Sequence, residues 1–253
     1  MSGRVRVIGL GPGPACWLTP EAEQALAEAT DLIGYAPYLE RHKALAHQRL
    51  HASDNRVEAE RAALALSLAD KGHDVALVSG GDPGVFAMAA ALVEVLEALP
   101  VNERTIAVSV LPGVTAVLAA AARLGAPLGQ DFCVMSLSDN LKPWEIIQSR
   151  LEASIAGDFV LALYNPASKA RPRQIFEAFA ILRAGRAPQT PVAFARAIGR
   201  SNERILRCSL ADADPSEADM STLILIGSSQ SRWVKRPQAE PLLLTPRAYR
   251  VRP

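Results

Sequence analysis

Short apolar runs alternate along this chain with longer segments whose apolar residues recur every three or four positions. Val5-Arg-Val-Ile8, Val75-Ala-Leu-Val78 and Val160-Leu-Ala-Leu163 have the length and composition of buried strands. The pattern predicts strands over 4–10, 32–34, 75–79 and 105–110, then over 132–136, 159–163, 192–195, 205–209 and 222–226. Helices are predicted from 19, over 58–71, 85–99 and 116–124, near 144–155 and over 174–182. Thr19 reads as an N-cap, Pro20 as the first helical residue, and Glu21 and Glu23 as acids in the dipole-favoured first turn. Strands and helices in alternation predict an α/β fold. The links among the last three strands carry no convincing helix, so antiparallel pairing is expected there. A helix of small residues, 116–124, followed by Gly125-Ala-Pro-Leu-Gly129, interrupts the pattern before it restarts. The expected domains are therefore 1–118 and 119–253. The basic, proline-containing tail after Ser228 is expected to be partly ordered at most.

Composition narrows the function classes. Of 253 residues 49% are apolar and 21% charged, and the net charge of +1 provides no global field for nucleic acid or an anionic membrane. No apolar stretch approaches the roughly 18 residues that span a bilayer. The chain runs directly into a strand pattern without a signal-peptide layout. Three scattered cysteines, Cys16, Cys133 and Cys208, make neither a disulfide framework nor a CxxC metal pair. A reducing cytoplasm is the simplest setting. Charge type is more telling: 22 Arg stand against 5 Lys, and nine basic residues between Lys169 and Arg207 face only Glu177 and Glu203, a local balance of +7. Such a run reads either as a solvated face or as a grip for carboxylates, which the arginine fork pairs bidentately.

The most informative segment is Ser79-Gly-Gly-Asp-Pro-Gly-Val-Phe86, which follows an apolar strand and opens a helix. Glycine leaves bare main chain at a strand's carboxyl end, where open α/β sheets place ligands, although an ordinary turn also carries this composition. Gly9-Leu-Gly-Pro-Gly13 follows the first strand but has Pro14 where a dinucleotide fingerprint needs glycine. There is no phosphate-binding P-loop, and Gly227-Ser-Ser229 lacks the spacing of a nucleophile elbow. His42, His47, His51 and His73 have no ligand spacing, so no metal is expected. Tyr35 and Tyr38 near a strand end read equally as pocket lining or as packing. Tyr164-Asn-Pro-Ala-Ser-Lys-Ala-Arg171 after another strand presents hydroxyl, ammonium and guanidinium groups, suited to a polycarboxylate or to a solvated capping turn.

In this order the motifs resemble the class III tetrapyrrole methyltransferases, along essentially the whole chain. The resemblance rests on Val7-Ile-Gly-Leu-Gly-Pro-Gly13 with Leu18-Thr19, on Ser79 to Phe86, on Pro112-Gly-Val-Thr-Ala116, and on Gly125-Ala-Pro-Leu-Gly-Gln-Asp-Phe132. Gly34-Tyr-Ala-Pro-Tyr-Leu39, Leu163-Tyr-Asn-Pro-Ala-Ser-Lys-Ala-Arg171 and Thr245-Pro-Arg-Ala-Tyr249 are similar to the precorrin-3B C-17 methyltransferase branch. That branch methylates C-17 and contracts the macrocycle to precorrin-4 in cobalamin biosynthesis. Regiospecificity for another precorrin, the cobalt-precorrin-3 reaction, and a non-catalytic tetrapyrrole-binding protein are the alternatives.

The resemblance implies two αβα domains with mixed sheets and a trough between them, a homodimer, and S-adenosylmethionine as donor with S-adenosylhomocysteine as product. It places Pro12, Gly81, Asp82, Val85, Phe86, Thr115, Ala116, Tyr164, Asn165, Ala197 and Thr222 at the cofactor, the 80–86 loop acting through backbone groups. Tyr38, Ser168, Lys169, Arg171 and Arg196 are expected at the substrate. Asp82, Tyr35 and Lys169, with Tyr38 and His42, are the candidates for acid–base help in ring contraction. The tail Arg250-Val-Arg-Pro253 departs from the lysine–tyrosine ending more usual in that branch. The lack of a cysteine cluster argues against iron–sulfur relatives.

Overall fold

In a computed structural model that describes residues 3–42, 44–55, 57–168 and 170–249, the chain divides into two units, Met1–Thr115 and Ala116–Pro253. The first comprises β1 (Arg4–Gly9), α1 (Pro20–Glu28), β2 (Asp31–Tyr35), α2 (Ala36–Leu39), β3 (Arg49–Ser53), α3 (Glu58–Asp70), β4 (Asp74–Ser79), α4 (Met88–Ala98) and β5 (Ala107–Leu111). Its strands form one sheet in the order β3-β2-β4-β1-β5, parallel throughout. Val5, Val7, Val75 and Leu77 pack with Ala62, Ala65 and Leu66 of α3 and Leu92 of α4. Ile8, Ala76 and Val78 pack on the other face with Ala22, Ala25 and Leu26 of α1. Strand side chains alternate between faces, so a sheet covered on both sides reads as continuous apolar runs. Thr19 caps α1, its Oγ1 accepting the Ala22 N–H at 3.2 Å.

The sequence reading missed β3, which makes the strand at Val75 the fourth. β3 is an edge strand with a half-exposed Arg-Leu-His-Ala-Ser sequence, so no apolar run marks it. It closes a polar cluster around Asp31, whose side chain is fully buried. His51 Nε2 and His73 Nδ1 each lie 2.8 Å from its carboxylate, the Thr30 hydroxyl donates at 2.8 Å, and Arg49 Nε sits at 3.1 Å. Burial alone would push this carboxyl up; the bonds from His51, His73, Thr30 and Arg49 outweigh it and hold the group well below the usual carboxylate range.

The second unit comprises α5 (Ala116–Leu124), β6 (Gly125–Ala126), β7 (Phe132–Ser136), α6 (Trp144–Ala156), β8 (Val160–Tyr164), α7 (Gln174–Gly185), β9 (Pro191–Arg196), β10 (Arg204–Ser209), β11 (Thr222–Ile226), β12 (Arg232–Arg236) and β13 (Ala239–Leu244). Its main sheet runs β10-β9-β11-β8-β7. β7 and β8 are parallel, while β11 lies antiparallel to both β8 and β9, and β9 to β10. The antiparallel pairing expected among the last strands is present. Leu161, Leu163, Phe194 and Ile224 pack with Ile147 and Leu151 of α6 and Phe179 and Leu182 of α7.

The tail corrects the expectation of partial order at most. β12 and β13 form a hairpin, and β13 pairs in parallel with β6. The Trp233 indole donates to the Cys208 carbonyl at 3.2 Å. Beyond it, the Tyr249 hydroxyl and the Ser229 hydroxyl and amide all donate to Asp158. Charge and proline obscured a segment held by backbone pairing and three side-chain bonds.

Candidate active site

In the first sheet the chain leaves the carboxyl ends of β1 and β4 in opposite directions, β1 crossing towards β2 and β4 towards β5. Adjacent strands whose connections diverge leave a crevice between their ends, the usual ligand position of such sheets. The glycine-rich segments 9–13 and 80–86 emerge there, joined by reciprocal Gly11–Gly81 backbone bonds of 3.1 and 3.0 Å. The third segment, 112–115, is held against them by Asp82. One Asp82 oxygen accepts the Gly84 N–H at 2.8 Å, the other the Gly113 N–H at 3.0 Å. The three loops meet main chain to main chain. A Cβ placed on Gly9 would come within 2.7 Å of Gly113 N and 2.8 Å of Gly81 O. Gly81, at φ +69°, turns an uncovered face outward, the nearest atoms to a Cβ built there being 3.9 and 4.0 Å away. Such a face suits a ligand bound through backbone groups.

The segment after β2 completes this end. The Tyr35 and Tyr38 rings meet edge to face with centroids 5.3 Å apart, and Tyr38 covers Gly80, where a Cβ would lie 2.7 Å from the ring. Arg41 donates to the Gly13 carbonyl at 2.6 Å and, more loosely, to Gly11 O at 3.4 Å, fixing the 9–13 loop. Arg41 escaped the sequence reading, and a lone arginine three residues past a tyrosine carries no signal that would have found it.

In the second unit the register brings another set of strand ends together. Ser136 lies beside Tyr164 and Thr222 opposite Arg196, so 136, 164–165, 196–197 and 222 share one edge. The Tyr164 hydroxyl accepts the Val117 N–H at 2.8 Å in the first turn of α5, and Asn165 donates to the Ser136 hydroxyl at 3.0 Å. Beside Ser168 a cavity of about 430 Å³ opens, walled by Pro172, Phe176, Asp219, Met220 and Ser221. Among the described residues, non-glycine residues with φ between +49° and +54° are Phe86, Asp158, Asn165 and Ala197. Strained backbone of this kind clusters at functional sites.

Comparison with known proteins decides the family. Residues 4–214 match the model of the tetrapyrrole (corrin/porphyrin) methylases. This chain belongs to that family. It is 51% identical to the precorrin-3B C(17)-methyltransferase of Sinorhizobium sp. over 98% of both chains. The crystal structure of the methyltransferase CobJ superposes with a TM-score of 0.92 at 49% identity, covering 97% of this chain and 100% of that one. The uroporphyrin-III C-methyl transferase of Thermus thermophilus, solved with S-adenosyl homocysteine, shares the fold at 23% identity and a TM-score of 0.63, over 89% of this chain and 92% of its own.

Several site expectations look different in this methylase once placed. Asp82 has both oxygens engaged, one by the Gly84 N–H and the other by the Gly113 N–H, and so ties the loops together. Arg171 is 5% exposed and donates to the Leu137 and Asn165 carbonyls at 3.0 and 3.2 Å. Lys169 lies outside the described residues. Arg196 keeps 37% of its side chain exposed while pairing with Asp219 at 2.7 Å. Among the described residues the buried Ser168 hydroxyl has no hydrogen-bond partner.

The basic run 169–207 is mostly engaged by partners within its own unit. Arg183 binds the Leu210 and Ala213 carbonyls, Arg186 those of Gly227, Ser154 and Phe159, and Arg204 and Arg207 pair with Glu217 and Glu240. Burial lowers the Arg186 pKa, which Asp158 partly restores. Among the described residues no group of three His, Cys, Asp or Glu side chains could hold a metal, and no helix is long and apolar enough to cross a membrane.

Proposed function

We propose that this chain methylates C-17 of precorrin-3B and contracts the macrocycle to precorrin-4. The observation that carries this reading is its likeness to the Sinorhizobium enzyme along the whole of both chains. The backbone-lined junction of the 9–13, 80–86 and 112–115 loops supports it. S-adenosylmethionine, when bound, supplies a methyl group already electrophilic on its sulfonium, so alignment and exclusion of water matter more than proton transfer; proximity contributes roughly 7–11 kcal/mol. To Pro12, Gly81, Asp82, Val85, Phe86, Thr115 and Ala116 we assign the methionine part, with Asp82 holding the loops in shape. To Tyr164, Asn165, Ala197 and Thr222 we assign the adenosine. Tyr38, Ser168 and Arg196 serve the acetate and propionate arms. With cofactor and tetrapyrrole bound, these residues would align the electron-rich pyrrole carbon C-17 with the sulfonium methyl group, the thioether leaving as S-adenosylhomocysteine. With Asp82 engaged, Tyr35 is the described side chain we assign to proton transfer in ring contraction.

We further infer a homodimer in the cytoplasm, where the thiols of Cys16, Cys133 and Cys208 stay free. Light scattering should then return twice the 27.0 kDa of one chain. The deciding experiment incubates the protein with precorrin-3B and methyl-labelled S-adenosylmethionine, followed by mass and NMR analysis. One label at C-17 in a contracted ring is expected. Label at another carbon, or turnover of a cobalt complex alone, moves the step within the family. Cofactor binding without transfer to any tetrapyrrole sinks the reading in favour of a binding protein.

A further inference from the structure

Phe86 ends the most constrained loop of the first unit, and local structure disfavours it twice. The residue is 51% exposed, whereas Phe179 and Phe194 lie within the core. Its φ of +54° is a conformation that glycine adopts at least cost. The same loop uses glycine at 80, 81 and 84, and a glycine at 86 would remove both penalties. The strain is held in by anchors on both sides. Asp82 fixes Gly84 and Gly113, Val85 N–H donates back to Asp82 O at 3.3 Å, and Ala89 N–H donates to Pro83 O at 2.9 Å as α4 begins. Phe86 is thus held half-exposed at the carboxyl end of β4, on the loop whose opposite end carries Tyr38 over Gly80. Aromatic surface presented at a ligand end matches a broad, flat, π-rich molecule with carboxylates on its rim.

We propose that Phe86 is a substrate-positioning residue whose ring lies against a face of the tetrapyrrole, while the main chain of its loop serves the cofactor. This rests on the function proposed above. The division of labour predicts a split that a purely structural role would not give. In the full chain, Phe86→Leu should raise the tetrapyrrole KM roughly tenfold, the scale of one lost aromatic contact. The dissociation constant of S-adenosylhomocysteine, measured by calorimetry, should stay within about twofold. Phe86→Tyr should restore the KM. Phe86→Gly, which relieves the backbone, should melt no lower than the parent and still lose tetrapyrrole affinity, so misfolding cannot explain the result. The inference is overturned if Phe86→Leu leaves the tetrapyrrole KM within twofold, or weakens cofactor and tetrapyrrole together. A parent protein that methylates no tetrapyrrole removes the proposed function along with it; an active parent with an indifferent Phe86→Leu removes this inference alone.

Discussion

Three glycines and one carboxylate hold the ligand end of the first unit in shape. Gly9, Gly81 and Gly113 touch through backbone atoms, so a methyl group on Gly113 must push whole loops apart. Gly113→Ala is expected to lose more than about 3 kcal/mol of stability and to abolish measurable cofactor binding. Gly81→Ala has room for its methyl and should lose only about 1 kcal/mol, the cost of the left-handed backbone; paired thermal melts will rank the two. Asp82→Asn keeps one acceptor but turns an amide against the second backbone N–H. About 1–3 kcal/mol should go, and calorimetry should show the affinity for S-adenosylhomocysteine falling at least tenfold. The loops themselves were legible in the sequence, because glycine and proline after an apolar run have few other uses. Their inner wiring was not: a carboxylate aimed at two amides and one aimed at a substrate look identical as letters, and so do a buried and a solvated Arg171.

At the level of elements, strands that carry an apolar run could be read to within a residue or two, as β8 and β11 show, whereas β3 and the β12–β13 hairpin could not. β3 and the β12–β13 hairpin take their order from pairing and from polar anchors, neither of which leaves an apolar run. The Asp31 cluster turns this into a measurable quantity, since it joins the amino-terminal ends of β2, β3 and β4. A carboxylate whose folded pKa is depressed stabilises the fold fully above its unfolded value of about 3.9, and that contribution is lost as pH falls through the folded value. Asp31→Asn should therefore destabilise by about 2 kcal/mol at pH 7. The gap between parent and variant in urea titrations should hold down to about pH 5 and shrink on further acidification. A gap that widened on acidification would contradict the assignment.

Across the whole molecule, the arginine bias serves structure more than recognition. Of the eight described basic residues in the 169–207 run, Arg171, Arg183, Arg186, Arg196, Arg204 and Arg207 all hold carbonyls or carboxylates of their own unit. Arg173 stands exposed at the amino end of α7, where the helix dipole disfavours a cation; with Arg196 it remains open to a carboxylate. Arg186→Met should strand the Ser154, Phe159 and Gly227 carbonyls, lowering the stability of the second unit by about 3 kcal/mol. The tetrapyrrole KM should stay within about twofold, a contrast that steady-state kinetics beside a melt will expose. Charge counting alone suggested a carboxylate grip here, because a sequence records the sign of a side chain and not the carbonyl it meets.

The pairing of β13 with β6 has a consequence for how the chain is made. Every strand of the first sheet lies within residues 4–111, so that sheet has all its partners while the ribosome is still reading the second unit. At about 5–20 residues per second, the 253 − 115 = 138 residues that follow the first unit take roughly 7–28 s to synthesise. Gly125 and Ala126 wait through most of that interval for Leu243 and Leu244. During translation the first sheet can finish folding, while β6 stays unpaired until Leu243 and Leu244 have been made.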